Sequence, residues 1–391
     1  TYPHTHGAPR NGFILNDQNV MLAEVLKENG FTTAAFIGAY PLHSRFNFAQ
    51  GFDHYDEHFE IIRGQAQVDQ DQRIAARVTD SAVAWLEENR PQRMFLFVHY
   101  FDVHWPYAPP PPYDRLYRQD DQPFGGSLME IEMVRKALYQ NRDGMQWQCA
   151  ALDALYCGEV TYTDTQIGRL FDVLRQGKLY DESLIVLTAD HGEAMNEHWE
   201  IWDHGFSTYQ TTISTPLIIR QPGGKLGGTR CPNLLSNIDV MPTILDRLGL
   251  GHPQRVEGVS FAPLLDGQEV PPRRPVFAEA TKPFGPTYED NPLWTNALKC
   301  RAVCTPRYKF IYRPIALTEE LFDLQADPQE QDNLLQRPNE EIMRRAGELS
   351  KLLRAWGKSA KPLDSTRDDS AETVRKLKRL GYMDSEGDED K

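Results

Sequence analysis

Short apolar runs alternate with stretches of helical spacing over the first 270 residues, and no segment repeats another. "MFLFVHYF" at Met94 to Phe101 and "LIVLTA" at Leu184 to Ala189 are too short for buried helices and too apolar for strands with one wet face. Helices are expected at Val20 to Glu28, with Asn19 near its cap and Asn29-Gly30 as its stop, at about Asp71 to Asn89, closed by Pro91, and at about Cys149 to Gln176. Phe31 to Ile37 reads as a further short buried strand. This alternation predicts an α/β fold, a mostly parallel sheet sandwiched by helices. In such sheets the functional groups gather beyond the carboxyl ends of the strands.

Farther along, "PLIIR" at Pro216 to Arg220 reads as a strand, and Ser236 to Leu250 as a helix interrupted in its first turn by Pro242. "PPRRP" at Pro271 to Pro275 looks like a linker. After it come a hairpin, Arg301 to Arg313, turning at Pro306-Arg307, and a closing helix from Glu340 to Trp356. The expected division is an α/β catalytic domain at 1–270, a smaller α+β subdomain at 275–360, and a polar, partly disordered tail at 361–391 ending in the solvated "DSEGDEDK".

A net charge of -14, with only a short basic run, "RKLKR" at Arg375 to Arg379, argues against nucleic acid as a partner. A small anionic ligand is still compatible if a metal reverses the local sign. The five cysteines include no CxxC pair, so neither a zinc site nor a disulfide framework is read from them. No apolar run approaches the ~18 residues of a membrane span. The first residue is Thr1, so the sequence is expected to begin inside a longer protein whose earlier part would carry any targeting signal.

Two strands run directly into chemistry-bearing residues. One ends in Asp190 and His191, which a turn through Gly192 can converge on one point. A carboxylate and an imidazole suit a divalent cation, with Glu193 as an outer group or at a helix N-terminus; an Asp capping the next helix beside a hydrogen-bonded His is the plain alternative. The other strand carries His99 and leads through Asp102 into "HWPYAPPPPY", His104 to Tyr113, an extended loop. There His104 is the candidate for a catalytic or anion-binding group, and His99 for packing or orienting a neighbour. His204, in "WDHGFSTY", is either an exposed loop histidine or a site residue, and His198 has no assigned role.

Taken in order, "TYPHTHGAPRNG", "LAEVLKENGFTTAAFIG", "VHYFDVHWPYAPP", "YCGEVTYTDTQIGRLFDVL", "LIVLTADHGE", "TPLIIRQPG", "SNIDVMPTILDRLG", "EGVSFAPLLDG", "RYKFIY" and "ELFDLQADPQEQDNL" resemble the sulfatase family of the alkaline-phosphatase-like superfamily across nearly the whole chain. The resemblance implies hydrolysis of a small-molecule or carbohydrate sulfate ester by a formylglycine nucleophile and a divalent metal, calcium first, with manganese or zinc as alternatives. It implies that Asp190 and His191 are metal ligands, where many members have Asp-Asn. His104 matches the ester-contacting histidine of D-x-H-x-P-Y, and His204 lies near a family lysine. It also implies an exported protein, periplasmic or extracellular. No C/S-x-P-x-R nucleophile motif occurs here, and Cys231-Pro232 is followed by Asn233-Leu234. The nucleophile and the first acidic pair are therefore expected upstream of Thr1, with little hydrolysis by these 391 residues alone. Gly38-Ala39-Tyr40-Pro41 stands where many sulfatases carry a lysine, which leaves a phosphodiesterase or phosphonate monoester hydrolase as the alternative. A noncatalytic binding protein is the third reading. Substrate choice is expected in the loops Gln119 to Gln148 and Pro283 to Trp294.

Overall fold

The computed structural model describes residues 1–59, 71–89, 91–118, 127–140, 144–198, 200, 202–268, 274–283, 298–359, 361–380 and 382. The chain forms two compact units, and both are discontinuous: one takes Met21–Glu182 and Asp369–Tyr382, the other Thr1–Val20 and Ser183–Asp368. These cut the chain differently from the division at 270 and 360, because the chain ends return to pack on distant segments. "DSEGDEDK", most of the proline linker and nearly all of Pro283 to Trp294 lie outside the described residues.

In the Met21–Glu182 unit, strands His54–Asp56, Thr32–Phe36 and Met94–Val98 form a parallel sheet in that order, with Phe36 opposite Val98. Ala34, Ala35 and Phe36 are buried, as both-face coverage of a parallel strand requires. The Leu22–Glu28 helix starts two residues later than expected, because the Glu24 carboxylate accepts the Met21 N–H at 2.7 Å and fixes the first turn there. Helices Ala75–Asn89 and Gln146–Gln176 pack on each other. Leu128–Tyr139 is helical inside the stretch read as a specificity loop, started by a Ser127/Glu130 capping box.

In the other unit, Ile185–Thr188 pairs antiparallel with Leu217–Arg220. A four-stranded antiparallel sheet, ordered Thr318–Asp323, Tyr308–Arg313, Lys299–Cys304, Val276–Pro283, forms the C-terminal part. Its two central strands are covered on both faces. Val303, Phe310 and Leu321 pack under the Glu340–Ser359 helix, while their neighbours Ala302, Ile311 and Phe322 pack with Tyr209 on the reverse side. All five cysteines are free thiols; Cys300 and Cys304 are buried and Cys157 and Cys231 exposed. The "RAVCTPRYKFIYR" hairpin forms as its turn residues require, and the 361–391 stretch holds a helix, Ala371–Arg379.

Candidate active site

The Ile185–Thr188 strand ends before Asp190, so the acid and the histidine arrive as the backbone leaves the sheet. His191 Nε2 lies 3.6 Å from Asp190 Oδ2, and the His191 N–H donates to Asp190 Oδ1 at 3.0 Å. The second ring nitrogen, Nδ1, sits 2.8 Å from the Gly192 carbonyl oxygen. A carbonyl only accepts, so Nδ1 carries the hydrogen and Nε2 keeps the lone pair of a neutral ring. Two ligand atoms each about 2.1–2.3 Å from one cation, and about 90–110° apart, lie roughly 3.0–3.7 Å from each other. The Asp190–His191 spacing fits that test, and at 83% exposure the Asp190 side chain is open to an incoming ion. Among the described residues no three His, Cys, Asp or Glu side chains gather as a metal cluster, so the pair offers only part of a coordination shell.

The backbone holding the pair is pinned from two directions. The Gly192 N–H donates to the Thr212 carbonyl at 2.8 Å, and a Cβ on Gly192 would stand 2.2 Å from the Thr211 oxygen, so only glycine lets the chains approach. The Asn237 side-chain amide donates to the Ala189 carbonyl at 2.9 Å. Asn237 comes from the one-turn Asn237–Asp239 helix that precedes Val240–Leu248.

Among the described residues no helix begins at Asp190 to Glu193, so the capping alternative fails for this site, and Glu193 is not at a helix N-terminus. Instead Ala194 and Asp203 exchange backbone hydrogen bonds at 3.1 and 3.3 Å, next to the fully buried Trp202. That closure brings His204 back onto His191, ring on ring, with centroids 4.0 Å apart and planes at 21°. His204 is thus a buried residue at 8% exposure, not an exposed loop histidine. Its Nδ1 is 3.1 Å from Glu193 Oε1, and the Glu193 side chain is 5% exposed. A histidine held at Nδ1 by a carboxylate presents Nε2 to whatever lies across the ring. His198, unassigned from sequence, stacks on Tyr209 at 3.7 Å and 9°, and burial lowers its pKa.

His104 belongs to the Met21–Glu182 unit and is described within it. Its Nδ1 lies 2.7 Å from the Trp105 carbonyl oxygen, which again assigns the hydrogen to Nδ1. The ring stacks on Phe101 at 4.4 Å and 20°. Asp102 faces elsewhere: its Oδ1 accepts the Ala75 N–H at 2.9 Å at the start of the Ala75–Asn89 helix, and burial pushes its pKa up to about 7. His99 Nδ1 accepts the Gly38 N–H at 3.3 Å, tying two strand ends together, as an orienting residue would. The proline-rich loop rests on the long helix, where Glu159 Oε1 accepts the Ala108 N–H at 2.7 Å and Gly158 leaves room for the Tyr113 carbonyl.

The structure therefore joins Asp190, His191 and His204 in one cluster. Sequence reasoning missed the Glu193–His204 contact, because only the closure of residues 194–203 creates it. It also missed Glu200, 1% exposed, whose carboxylate accepts the Phe206 and Ser207 N–H groups at 2.9 and 3.2 Å and thereby shapes the turn after His204.

Residues 1–250 match the family described as Sulfatase, and residues 197–355 match the C-terminal region of N-sulphoglucosamine sulphohydrolase. The multifunctional alkaline phosphatase superfamily protein PehA of Trinickia caryophylli is 29% identical over 289 residues, 66% of this chain and 55% of its own length. An arylsulfatase of Clostridium perfringens is 28% identical over 290 residues, 71% of this chain and 56% of its own. The chain spans about half the length of these relatives. A phosphonate monoester hydrolase of Agrobacterium radiobacter shares the fold, with a TM-score of 0.70 at 22% identity over 91% of this chain and 84% of that one.

Proposed function

The chain belongs to the sulfatase family, and from that premise we propose that the protein is a metal-dependent sulfuric ester hydrolase that releases sulfate from an organic or carbohydrate ester. The observation that carries the reading is the Asp190–His191–His204 cluster, with His191 and His204 each held at Nδ1 by a defined acceptor. Asp190 and His191 would hold the cation, calcium first. When bound, that ion offsets charge on the nonbridging oxygens of the ester. His191 keeps Nε2 as a lone-pair donor because Gly192 accepts from Nδ1.

His104 and His204 are the proposed groups for the ester itself. With Nδ1 of His104 already donating to Trp105, protonation places the second hydrogen on Nε2, where it can pass to the leaving alkoxide. His204, backed by Glu193, would contact a nonbridging oxygen. The sequence holds no C/S-x-P-x-R motif, so these residues account for the cation, the acid and positioning, and not for the nucleophile. Export is part of this reading; no described helix is long and apolar enough to cross a membrane.

The second reading is a phosphodiesterase or phosphonate monoester hydrolase. Gly38-Ala39-Tyr40-Pro41, where many sulfatases carry a lysine, favours it, and the likeness to a phosphonate monoester hydrolase fits it. The two are separated by assaying the full-length gene product on an aryl sulfate, an aryl phosphate diester and an aryl phosphonate side by side. Sulfate release with the highest kcat/KM supports the proposal. Turnover of the phosphorus esters alone replaces it with the second reading, and no turnover of any with metal supplied rejects both.

A further inference from the structure

The short basic run near the C-terminus plays no part in the cluster above, yet it is built into the Met21–Glu182 unit by an unusually complete set of contacts. Ser370 caps the Ala371–Arg379 helix, and Thr373 and Leu377 are buried at 0% and 1% exposure. Lys376 and Arg379 both reach Asp71 at 3.5 Å, and Asp71 has no solvent exposure. Thr373 Oγ1 is 3.0 Å from the Tyr40 hydroxyl, and Arg45 donates to both, at 2.8 and 2.7 Å. Lys376 also lies over the Tyr40 ring at 4.4 Å. A helix of this length does not hold its shape in water alone; these anchors hold it.

What the helix delivers is Tyr382. Its N–H donates back to the Leu377 carbonyl at 2.9 Å, and its ring stands 5.3 Å from the His104 ring at 46°. Both residues are half-buried, with the His104 Nε2 atom itself buried. An acid that protonates a leaving oxygen has the rest of the leaving group within about one ring width of it, and that is the neighbourhood Tyr382 occupies. A tyrosine offers there a flat apolar face and a polar rim, which suits an aromatic or other ring-bearing alcohol better than a small alkyl one.

We propose that Tyr382, carried by the Ala371–Arg379 helix, is a specificity-determining residue that contacts the alcohol portion of the ester beside His104. The inference rests on the reading of His104 as the acid. It is tested in the full-length protein with a 4-nitrophenyl ester and a methyl ester of the same oxoacid. Tyr382→Ala should raise KM for the aryl ester about three- to tenfold and cut the aryl-over-methyl ratio of kcat/KM by a similar factor, with Tyr382→Phe restoring most of it. Lys376→Ala/Arg379→Ala, which loosens the helix without touching the site, should move KM in the same direction. A His104→Ala control keeps the two readings apart. Loss of kcat on both esters supports the acid; unchanged kcat removes that reading while a Tyr382 effect on KM still stands. An aryl-over-methyl ratio within twofold of wild type in Tyr382→Ala overturns the inference.

Discussion

Glu193 is the residue whose removal separates orientation from mere packing. Its side chain and that of His204 are 5% and 10% exposed, and the Oε1–Nδ1 contact of 3.1 Å lies where water cannot readily substitute. Neither backbone can drift to compensate. Glu193 follows Gly192, which is bonded to Thr212, and His204 is held by the Ala194–Asp203 closure and by its own N–H donating to Asp203 Oδ1 at 2.8 Å. Glu193→Ala therefore strips a carboxylate acceptor from a buried ring N–H, a loss of about 1.5–3 kcal/mol. For a unit of this size that is roughly 3–12 °C in Tm. Glu193→Gln keeps an oxygen that can accept, so its stability loss should be about 1 kcal/mol or less. Its amide can also donate, however, so the tautomer is no longer imposed and the negative charge beside the ring is gone. The expected result is a stable Glu193→Gln protein whose kcat falls at least about tenfold, as the loss of an orienting partner does at other histidine sites. Thermal unfolding followed by circular dichroism, with steady-state kinetics on the same samples, reads both quantities. Glu193→Ala with an unchanged Tm, or Glu193→Gln with wild-type kcat, would refute the orienting role.

Three further outcomes follow from the same geometry. Gly192→Ala forces a Cβ to 2.2 Å from the Thr211 oxygen, so the turn carrying Asp190 and His191 must shift; metal affinity should drop by more than tenfold while the far antiparallel sheet keeps its circular-dichroism signature, and intact affinity would show the turn is not needed. Calorimetry with calcium on the full-length protein should show binding that Asp190→Ala and His191→Ala each weaken strongly; heat of binding unchanged in both variants would remove the metal role from the pair. Burial raises the Glu200 pKa from 4.5 to about 7, so the folded state holds that proton more tightly than the unfolded one. The stability it contributes is full below about pH 4.5 and is lost as pH rises through about 7, a decline of up to ~3 kcal/mol between pH 5 and 8. Glu200→Gln should flatten that slope in denaturant titrations, and an unchanged slope would count against it.

The elements that could be read from sequence are those whose signal is local. "FTTAAFI" and "MFLFVHYF" are short, mostly apolar runs without helical spacing, and the structure pairs them as Thr32–Phe36 and Met94–Val98. The adjacency of Asp190 and His191 is equally local, and strand-end geometry is enough to bring their side chains within 3.6 Å. The antiparallel pairing of Leu217–Arg220 with Ile185–Thr188 was not legible, since a short apolar run carries no record of strand direction.

The tail shows why the rest was hidden. "AETVRKLKRL" has few apolar residues, and read alone it belongs with solvated segments. Its order comes from Asp71 and Tyr40, some 300 positions earlier in the chain, which satisfy two cations and a threonine that would otherwise favour water. Glu193 and His204 repeat the logic at shorter range: eleven residues apart, they meet because Ala194 and Asp203 bridge. In both cases a polar group was visible in the sequence and its partner was not, because ion pairs and side-chain hydrogen bonds have no periodicity from which to infer them. The proximity of polar residues adjacent in sequence is thus readable in this chain before folding. Chemistry carried by a charged residue and a distant partner, which here includes the support of His204 and the placement of Tyr382, appears only once the backbone has closed.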